Sequence, residues 1–303
     1  MELLKLLEGI RSPFLDTVIG LITRLGEETV GIVILCLIFW CISKRAAYGI
    51  GAAFFFSGLT TQGLKICFRV DRPWIADPTL KPVESALENA TGYSFPSGHT
   101  QSATALFGSL GVIIKNKPIK ALCFFIVILV AFSRMYLGVH TPIDVVASLV
   151  ISFLLVMLIN TALDFGTISW KGDFIFSLIM MLYAAAVIVI AAVLYSNGTI
   201  GGEYVLDCFK AAGAGIGFAL GMFVERVFID FSVKTKNLLM QVIKYIIGFA
   251  GVLAIKEGLK LVAGTGLAIN MFRYFLILIW IIVLFPLIIK RFFAVKDVEN
   301  CPQ

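Results

Sequence analysis

Apolar runs long enough to cross a lipid bilayer recur along this chain and limit what it can fold into. Runs at about 119–138, 143–164 and 174–195 contain few charged residues. A membrane-spanning helix needs roughly 20 mainly apolar residues, and water-soluble domains do not repeat such runs. The composition agrees, since 59% of the residues are hydrophobic and the mean hydropathy is +0.98. The sequence therefore predicts an all-α integral membrane protein, a polytopic helical bundle.

The hydropathy pattern predicts two parts. Residues 1–165 begin with a segment from Glu2 to about Leu25 in which leucines alternate with charges, as is typical of one or two interfacial helices. About five spans follow in this part, and residues 166–303 form a C-terminal extension of about four more. The nine predicted spans lie at about 29–42, 46–66, 100–115, 119–138, 143–164, 174–195, 209–229, 238–262 and 270–290.

Lysines and arginines in short loops predict the orientation. In this layout, one side of the membrane carries the basic loops, and the positive-inside rule makes that side cytoplasmic. This distribution accounts for the net charge of +6, so no nucleic-acid partner is predicted. The basic loops are Lys44–Arg45, the turn from Lys115 to Lys120, Lys234 with Lys236, and the tail from Lys290 to Lys296.

Three clusters of polar residues interrupt the apolar pattern. They contain both histidines of the chain and three cations at membrane depth. Burying a charge in hydrocarbon costs several kcal/mol, so such residues indicate function. Cations together with histidines indicate a phosphate site, in which the cations hold the group and the histidines break its ester bond. The clusters are Lys65 to Arg72–Pro73, Pro96–Ser97–Gly98–His99, and Ser133–Arg134 through His140 to Asp144.

The spacing predicts that the three clusters meet on one face of the membrane. The stretch between His99 and Ser133 accommodates one helix inward, a turn and one helix back, because about 17 helical residues rise about 25 Å. The first cluster ends the span at about 46–66, which leaves the membrane on the same face. Since the basic loops lie on the other face, the predicted site faces away from the cytoplasm.

The motifs K-x6-RP, PSGH and SR-x5-H-x3-D, in this order, resemble those of the type 2 phosphatidic acid phosphatase superfamily. Every specified position of the three motifs is present in the clusters described above. The resemblance covers about residues 60–150 and implies a phosphatase of the bacterial plasma membrane that needs no metal and no other cofactor. It extends weakly to Arg11, Pro13, Leu15–Asp16 and Leu25–Gly26.

The same resemblance implies a role for each motif residue. His140 is the expected nucleophile, which forms a phosphohistidine intermediate, and Asp144 orients its ring. His99 is the expected general acid for the leaving group, and it then helps to activate water. The expected phosphate-binding residues are Lys65, Arg72, Ser97, Gly98 and Arg134, and no metal ligand is expected.

Local sequence adds physical reasons for some of these assignments. Ser97 and Gly98 precede a predicted span, so their backbone N–H groups can face an anion at a helix N-terminus. Asp144 follows Thr141 and Pro142 in a pattern typical of a helix start, so capping explains Asp144 as well. We expect Asp144 to do both, because His140 lies immediately before that helix.

The motifs concern the phosphate and leave its substituent open. The expected substrates are lipid phosphates or diphosphates of the isoprenyl diphosphate, phosphatidylglycerophosphate or phosphatidate type, whose tails can enter between helices from the surrounding membrane lipids. A soluble phosphate ester, such as a sugar phosphate, and a lipid phosphotransferase reaction are alternatives. A non-catalytic lipid-phosphate transporter is a remote alternative, because binding alone needs neither a nucleophile nor an acid.

Glycines in the C-terminal part bear on the oligomeric state. Gly213, Gly217 and Gly221 repeat every four residues and share one helix face. Such a stripe permits close helix contact. We expect this contact within the monomer, and a homodimer is the alternative.

Overall fold

The computed structural model describes residues 1–88 and 90–293, apart from the side chain of Ala162, and Lys296 of the predicted basic tail lies outside these ranges. All regular secondary structure in the described residues is helical. The helices are α1 (Glu2–Gly9), α2 (Pro13–Arg24), α3 (Glu28–Leu37), α4 (Lys44–Phe68), α5 (Pro73–Ala76), α6 (Gly98–Ala103), α7 (Lys117–Tyr136), α8 (Pro142–Ala162), α9 (Trp170–Ser196), α10 (Gly202–Val224), α11 (Leu238–Ala263) and α12 (Leu267–Ile279).

Several of these helices continue through a wider π turn without a break. The continuation of α3 is Ile38–Ile42 and that of α10 is Glu225–Ile229. α6 continues through Thr104–Gly108 and Ser109–Ile113, and α12 continues through Trp280–Leu284 and Phe285–Phe292. A short 3₁₀ turn, Glu84–Ala86, lies between α5 and α6.

Polar residues mark where many of the helices begin. The side chain before the helix accepts a hydrogen bond from a backbone N–H of the first turn, which has no partner within the helix. In α7 and α8 a proline also occupies the first turn, where its missing N–H costs nothing. The capping residues are Ser12 for α2, Ser43 for α4, Ser97 for α6, Asn116 for α7, Thr141 for α8, Ser169 for α9 and Asn237 for α11.

The multi-pass all-α class is confirmed, but the count of nine spans is not. Within residues 1–88 and 90–293, length and composition mark six helices as able to cross a membrane, namely α7 to α12 with their continuations. The pair of α2 and α3, bent by 48°, is a seventh candidate. α6 with its continuation rises only about 24 Å, which is short of a hydrocarbon layer of roughly 30 Å. α4 is long enough, but Gly, Thr and Gln weaken its apolar character.

α4 lies at the centre of the bundle, which explains this composition. It packs against α6, α8, α9 and α10, and most of its residues from Ala47 to Leu59 are buried. A helix surrounded by protein can carry small and polar residues that a lipid-facing helix avoids. One hydrophobic core contains residues of both predicted parts, from Leu35 to Ile289. The division at residue 165 stays a prediction, and its two parts are packed together.

The glycine stripe of α10 packs against α12. A Cβ on Gly213 would lie 2.1 Å from the carbonyl oxygen of Met271, and one on Gly217 would lie 2.8 Å from that of Phe275. Only glycine permits the two helix backbones to approach so closely. The prediction that the stripe packs within the monomer is confirmed.

Candidate active site

A cavity of about 290 Å³ lies where α4 ends and α6 begins, and we call this end of the bundle the site end. The structure brings the three polar clusters together there, although they are far apart in the sequence. Predicted site residues in the cavity wall are Lys65, Arg72, Gly98, His99 and His140. Farther from the site end, the wall includes the apolar residues Ile32, Phe54, Phe55, Leu59 and Leu278, together with the polar Gln101.

His140 lies in the link between α7 and α8, and it is buried. Arg72 Nη1 donates a hydrogen bond to His140 Nε2 over 2.9 Å. A guanidinium group can only donate, so we assign Nε2 as the unprotonated nitrogen and place the hydrogen on Nδ1. The lone pair of Nε2 is therefore directed at one of the predicted phosphate-binding groups.

Ser94 and Asp144 lie on the other side of the His140 ring. His140 Nδ1 is 3.5 Å from Ser94 Oγ and 3.7 Å from Asp144 Oδ2, and Ser94 Oγ donates to Asp144 Oδ2 over 2.7 Å. Asp144 Oδ2 also accepts from the backbone N–H of Thr141 over 2.7 Å, and Thr141 Oγ1 accepts from the N–H of Asp144 over 3.3 Å. Asp144 therefore caps α8, as predicted, while the same carboxylate faces the ring of His140.

Arg134, near the end of α7, is buried and only partly hydrogen-bonded. Its Nη1 donates to Thr23 Oγ1 over 2.9 Å, whereas its Nε and Nη2 have no hydrogen-bond partner among the described residues. The backbone oxygen of Arg134 accepts from the N–H of His140 over 3.3 Å. His99 Nε2 is also buried without a partner in the described part of the chain. Buried guanidinium donors without protein acceptors, such as those of Arg134, indicate a ligand that supplies acceptors, as a phosphate does.

Ser97 and Gly98 were both expected to offer backbone N–H groups at the start of α6, but of the two only Gly98 lines the cavity. The N–H of Ser97 donates to the carbonyl oxygen of Asp144 over 3.2 Å, and Ser97 Oγ accepts from Thr100 Oγ1 over 3.0 Å. Ser97 therefore joins α6 to α8, contrary to the expectation that its N–H faces phosphate. Gly98 lines the cavity, and a Cβ added there would meet no atom within 4 Å. An anion can reach the N-terminus of α6 at Gly98.

The surroundings of His140 favour its neutral form. Burial, followed by the positive charges of Arg72, Arg134 and Lys65, lowers the pKa of His140 well below its usual value. Burial also lowers the pKa of Arg72 to about 10, which leaves this guanidinium charged at neutral pH. The neutral ring keeps the lone pair of Nε2, which a nucleophilic imidazole requires.

Residues 77–83, between α4 and α6, contact the N-terminal part of the chain and the link between α7 and α8. Lys5 Nζ of α1 lies 2.8 Å from Asp77 Oδ2, and Arg11 donates to the carbonyl oxygen of Lys81. The N–H of Val83 donates to the carbonyl oxygen of Leu137 over 3.1 Å, next to the loop that carries His140. These contacts join residues 77–83 both to the N-terminal segment and to the link that carries His140.

Several site residues were missed by sequence reasoning. Ser94 lies two residues before the PSGH motif, and a hydroxyl at that position is the one signal that could have found it. Thr23 contacts Arg134 across 111 positions of sequence, and Asp207 contacts Thr91 across 116. No local pattern reports such distant pairs. Residues of the C-terminal part that line the cavity are Asp207, Lys210, Ala211, Ala214, Tyr274 and Leu278.

Comparison with protein families matches two segments of the chain. Residues 46–168 match the model described as the PAP2 superfamily, and these residues contain all three polar clusters. Residues 209–297 match the model described as the PAP2 superfamily phosphatase, transmembrane extension.

Similar proteins include two phosphatases of Bacillus subtilis. Phosphatidylglycerophosphatase B is 27% identical over 169 residues, which cover 50% of this chain and 76% of that protein. Undecaprenyl-diphosphatase BcrC is 26% identical over 163 residues, which cover 51% of this chain and 79% of that protein. The crystal structure of a transmembrane PAP2 type phosphatidylglycerolphosphate phosphatase from the same organism superposes with a TM-score of 0.45 at 25% identity, covering 53% of this chain and 82% of that one.

Proposed function

The chain belongs to the PAP2 superfamily, and we propose that it is an integral membrane phosphatase that hydrolyses a lipid phosphate or diphosphate through a phosphohistidine intermediate, without a metal. The observation that carries the proposal is the setting of His140. Its Nε2 meets Arg72, its Nδ1 faces Asp144, and it lines a cavity shared with further cations. The names of the similar Bacillus subtilis proteins, which include a phosphatidylglycerophosphatase and an undecaprenyl-diphosphatase, support a lipid substrate.

In the first step, His140 Nε2 attacks phosphorus, an N–P bond forms, and the bond from phosphorus to the leaving oxygen breaks. Arg72 Nη1 donates to the Nε2 lone pair in the free protein. A phosphate oxygen that accepts this donor frees the lone pair for attack. Positive charge then develops on the ring, and Asp144 stabilises it directly and through Ser94. His99 donates a proton to the leaving oxygen.

In the second step, water replaces the histidine at phosphorus. His99, now unprotonated, accepts a proton from the attacking water, and the N–P bond breaks to release inorganic phosphate and neutral His140. In both steps, negative charge gathers on the non-bridging oxygens of the transferring group. The cations that stabilise this charge are Lys65, Arg72 and Arg134, and the N–H of Gly98 adds a further donor.

The apolar side chains in the cavity wall support a lipid rather than a soluble ester. Phe54, Phe55 and Leu59 extend this wall along α4, away from Lys65. Such a wall would receive the first methylene groups of a lipid, which gain about 0.8 kcal/mol for each CH₂ removed from water. The positive-inside pattern of the loops supports an orientation in the bacterial plasma membrane with the site on the extracytoplasmic face.

The test is phosphate release by detergent-purified protein, with chelator present, from a panel of phosphatidylglycerophosphate, isoprenyl diphosphate, phosphatidate and a sugar phosphate. We expect release from one lipid class, a loss of at least about 1000-fold in His140→Ala, and incorporation of labelled phosphate into wild-type protein but not into the variant. His140→Ala should retain the thermal unfolding midpoint of the wild type to within a few degrees.

The other outcomes of this experiment identify the alternatives. Faster release from the sugar phosphate would indicate a soluble-ester phosphatase, and transfer of label to a lipid acceptor without free phosphate would indicate a phosphotransferase. Binding of lipid phosphate without turnover would indicate a transporter. Loss of activity on adding chelator would contradict the metal-independent mechanism.

A further inference from the structure

The start of α10 contacts a loop of the catalytic part, although α10 itself belongs to the C-terminal extension. The loop comprises residues 91–94, and we call it the 91–94 loop. Tyr204 of α10 stacks on Tyr93, with ring centroids 4.0 Å apart and ring planes inclined by 10°. One turn farther along α10, Asp207 Oδ2 accepts a hydrogen bond from Thr91 Oγ1 over 3.1 Å. Lys210 Nζ lies 3.0 Å from Asp207 Oδ1, so both carboxylate oxygens have partners.

The same loop holds Arg72 on its other side. Arg72 Nε donates to the carbonyl oxygen of Gly92 over 3.0 Å, and Nη2 donates to that of Thr91 over 2.5 Å. These two bonds fix the plane of the guanidinium group and leave Nη1 directed at His140 Nε2 and the carbonyl oxygen of Val139. The direction of Nη1 therefore depends on where the two loop carbonyls lie.

The 91–94 loop also reaches the carboxylate behind His140. The N–H of Ser94 donates to the carbonyl oxygen of Val70 over 2.8 Å, and Ser94 Oγ donates to Asp144. Gly92 permits the turn, since its φ is +68°. Residues 91–94 thus position Arg72 on one side of the His140 ring and Asp144 on the other. On the side facing away from His140, the same loop contacts Tyr204 and Asp207 of α10.

We propose that Asp207 and Tyr204 of the extension are positioning residues for the reaction, because they fix the 91–94 loop and, through it, the guanidinium of Arg72 against His140. This inference rests on the proposed function of the site. Asp207 and Tyr204 act through the loop and not on the phosphate. The C-terminal extension is accordingly a part of the catalytic apparatus as well as a membrane anchor.

Loosening the 91–94 loop should lower kcat and shift the pH profile. Arg72 binds the phosphate most strongly in the transition state, where negative charge gathers on the non-bridging oxygens, so its displacement lowers kcat more than it raises KM. A displacement of about 1 Å in a positioned group costs up to about 100-fold in rate. Arg72 also disfavours protonation of His140, so its retreat moves the acidic limb of the pH profile to higher pH. The charged and titratable groups that face His140 are Arg72, Lys65, Arg134, His99 and Asp144.

The experiment compares Asp207→Ala with Asp207→Asn in phosphate release and in hydrogen–deuterium exchange. The amide oxygen of Asn can still accept from Thr91, although it cannot pair with Lys210 as an ion. We expect Asp207→Ala to lose about 10- to 100-fold in kcat, to shift the acidic limb upward, and to exchange faster in the 91–94 loop. Asp207→Asn should stay within a few-fold of wild type in all three readouts.

Two further variants control for general loss of packing. Tyr183→Phe removes a hydrogen bond of 3.1 Å between α9 of the extension and Thr60 of α4, away from the loop, and should leave kcat unchanged. Tyr204→Phe keeps the stacked ring and should be active, whereas Tyr204→Ala should behave as Asp207→Ala does. Impairment of Asp207→Asn equal to that of Asp207→Ala, or a rise in KM alone, would overturn the positioning role.

The exchange measurement separates this inference from the proposed function. A wild-type protein that releases no phosphate from any substrate would contradict the function. The structural inference would still stand if Asp207→Ala, but not Asp207→Asn, speeds exchange at the amides of residues 91–94. Unchanged exchange in Asp207→Ala would overturn it whatever the activity.

Discussion

At the scale of single residues, the hydrogen-bond partners of His140 determine which of its ring nitrogens carries the hydrogen. Arg72 can only donate, so the nitrogen that faces it must carry a lone pair. On the opposite side of the ring, Ser94 and Asp144 offer acceptors for the Nδ1 hydrogen. The assigned tautomer is therefore the one that the proposed attack by His140 requires.

The charge around His140 leads to a prediction about pH. Burial and three cations lower the pKa of His140, so its ring is still neutral at pH values just below about 6.5, the usual pKa of a histidine. We expect the acidic limb of kcat/KM to have its midpoint below pH 6.5. Removing one cation relieves the repulsion of the protonated ring, so Arg72→Gln should raise this midpoint while lowering the rate overall.

The measurement is kcat/KM against pH for wild type and Arg72→Gln with the same substrate. The phosphate of the substrate titrates in the same range, and the comparison of two proteins cancels its contribution. Arg69→Gln serves as the matched control, since Arg69 is an exposed arginine at the end of α4. A midpoint in Arg72→Gln equal to or below that of wild type would contradict the assigned role of this cation.

At the scale of elements, the turn between α2 and α3 positions two site residues. Thr23, near the end of α2, accepts a hydrogen bond from Arg134. A Cβ on Gly26 would lie 2.7 Å from the carbonyl oxygen of His99, so the turn packs directly on the start of α6. The N-terminal segment, predicted as interfacial from its amphipathic pattern, thus also supports the site.

Gly26→Ala tests this contact. The added methyl group collides with backbone at His99, which cannot rotate away, so we expect His99 to shift and kcat to fall at least about 10-fold. Overpacking of this kind costs about 1–3 kcal/mol of stability. Gly20→Ala in α2 is the matched control, because a Cβ there meets no atom within 4 Å. The comparison uses phosphate release and thermal unfolding, and equal activity of the two variants would contradict the prediction.

At the scale of the whole molecule, the extension joins the catalytic part at both ends of α4. The site end has the contacts of α10 with the 91–94 loop. At the opposite end, the fully buried Glu225 accepts hydrogen bonds from Tyr48 and, over 3.0 Å, from Lys44 at the start of α4. Its Oε1 also accepts from the N–H of Phe231 over 3.1 Å. These contacts and the shared core bind the two predicted parts together.

Lys44 provides an internal comparison, because it pairs with a buried and an exposed carboxylate. Glu225 is 0% exposed, whereas the side chain of Asp230, 2.5 Å from Lys44, is 81% exposed. Glu225→Ala leaves buried donors unpaired and should cost on the order of 3 kcal/mol. Asp230→Asn should cost less than about 1 kcal/mol, since an exposed pair is screened by solvent.

Thermal unfolding of both variants in detergent checks this difference. Because the core is continuous across both parts, we expect one transition, with its midpoint clearly lowered in Glu225→Ala and nearly unchanged in Asp230→Asn. Two separate transitions in Glu225→Ala would show that the parts unfold independently. Equal midpoints in the two variants would show that burial does not set the strength of the contact.

The sequence alone determined the membrane class and the helical architecture, and it named five of the residues that line the cavity, Lys65, Arg72, Gly98, His99 and His140. Apolar runs can be read locally, and helices of bilayer length must return to the same face after each pair, so three clusters at span ends were predicted to meet. The cap of α8 was also predicted correctly from Thr141, Pro142 and Asp144, because capping involves only neighbours in sequence.

Only the tertiary structure decided which surfaces are covered and which distant groups meet. The nine-span count is not confirmed, because length and composition mark six or seven helices of the described residues as able to cross and do not mark α4, which is enclosed by protein, or α6, which is short. Three hydrogen bonds could not be predicted from the sequence either. They join the N–H of Ser97 to Asp144, Arg134 to Thr23, and Thr91 of the 91–94 loop to Asp207. Each is a contact between segments that are far apart in the chain, and the packing of the helices fixes the distance between such segments.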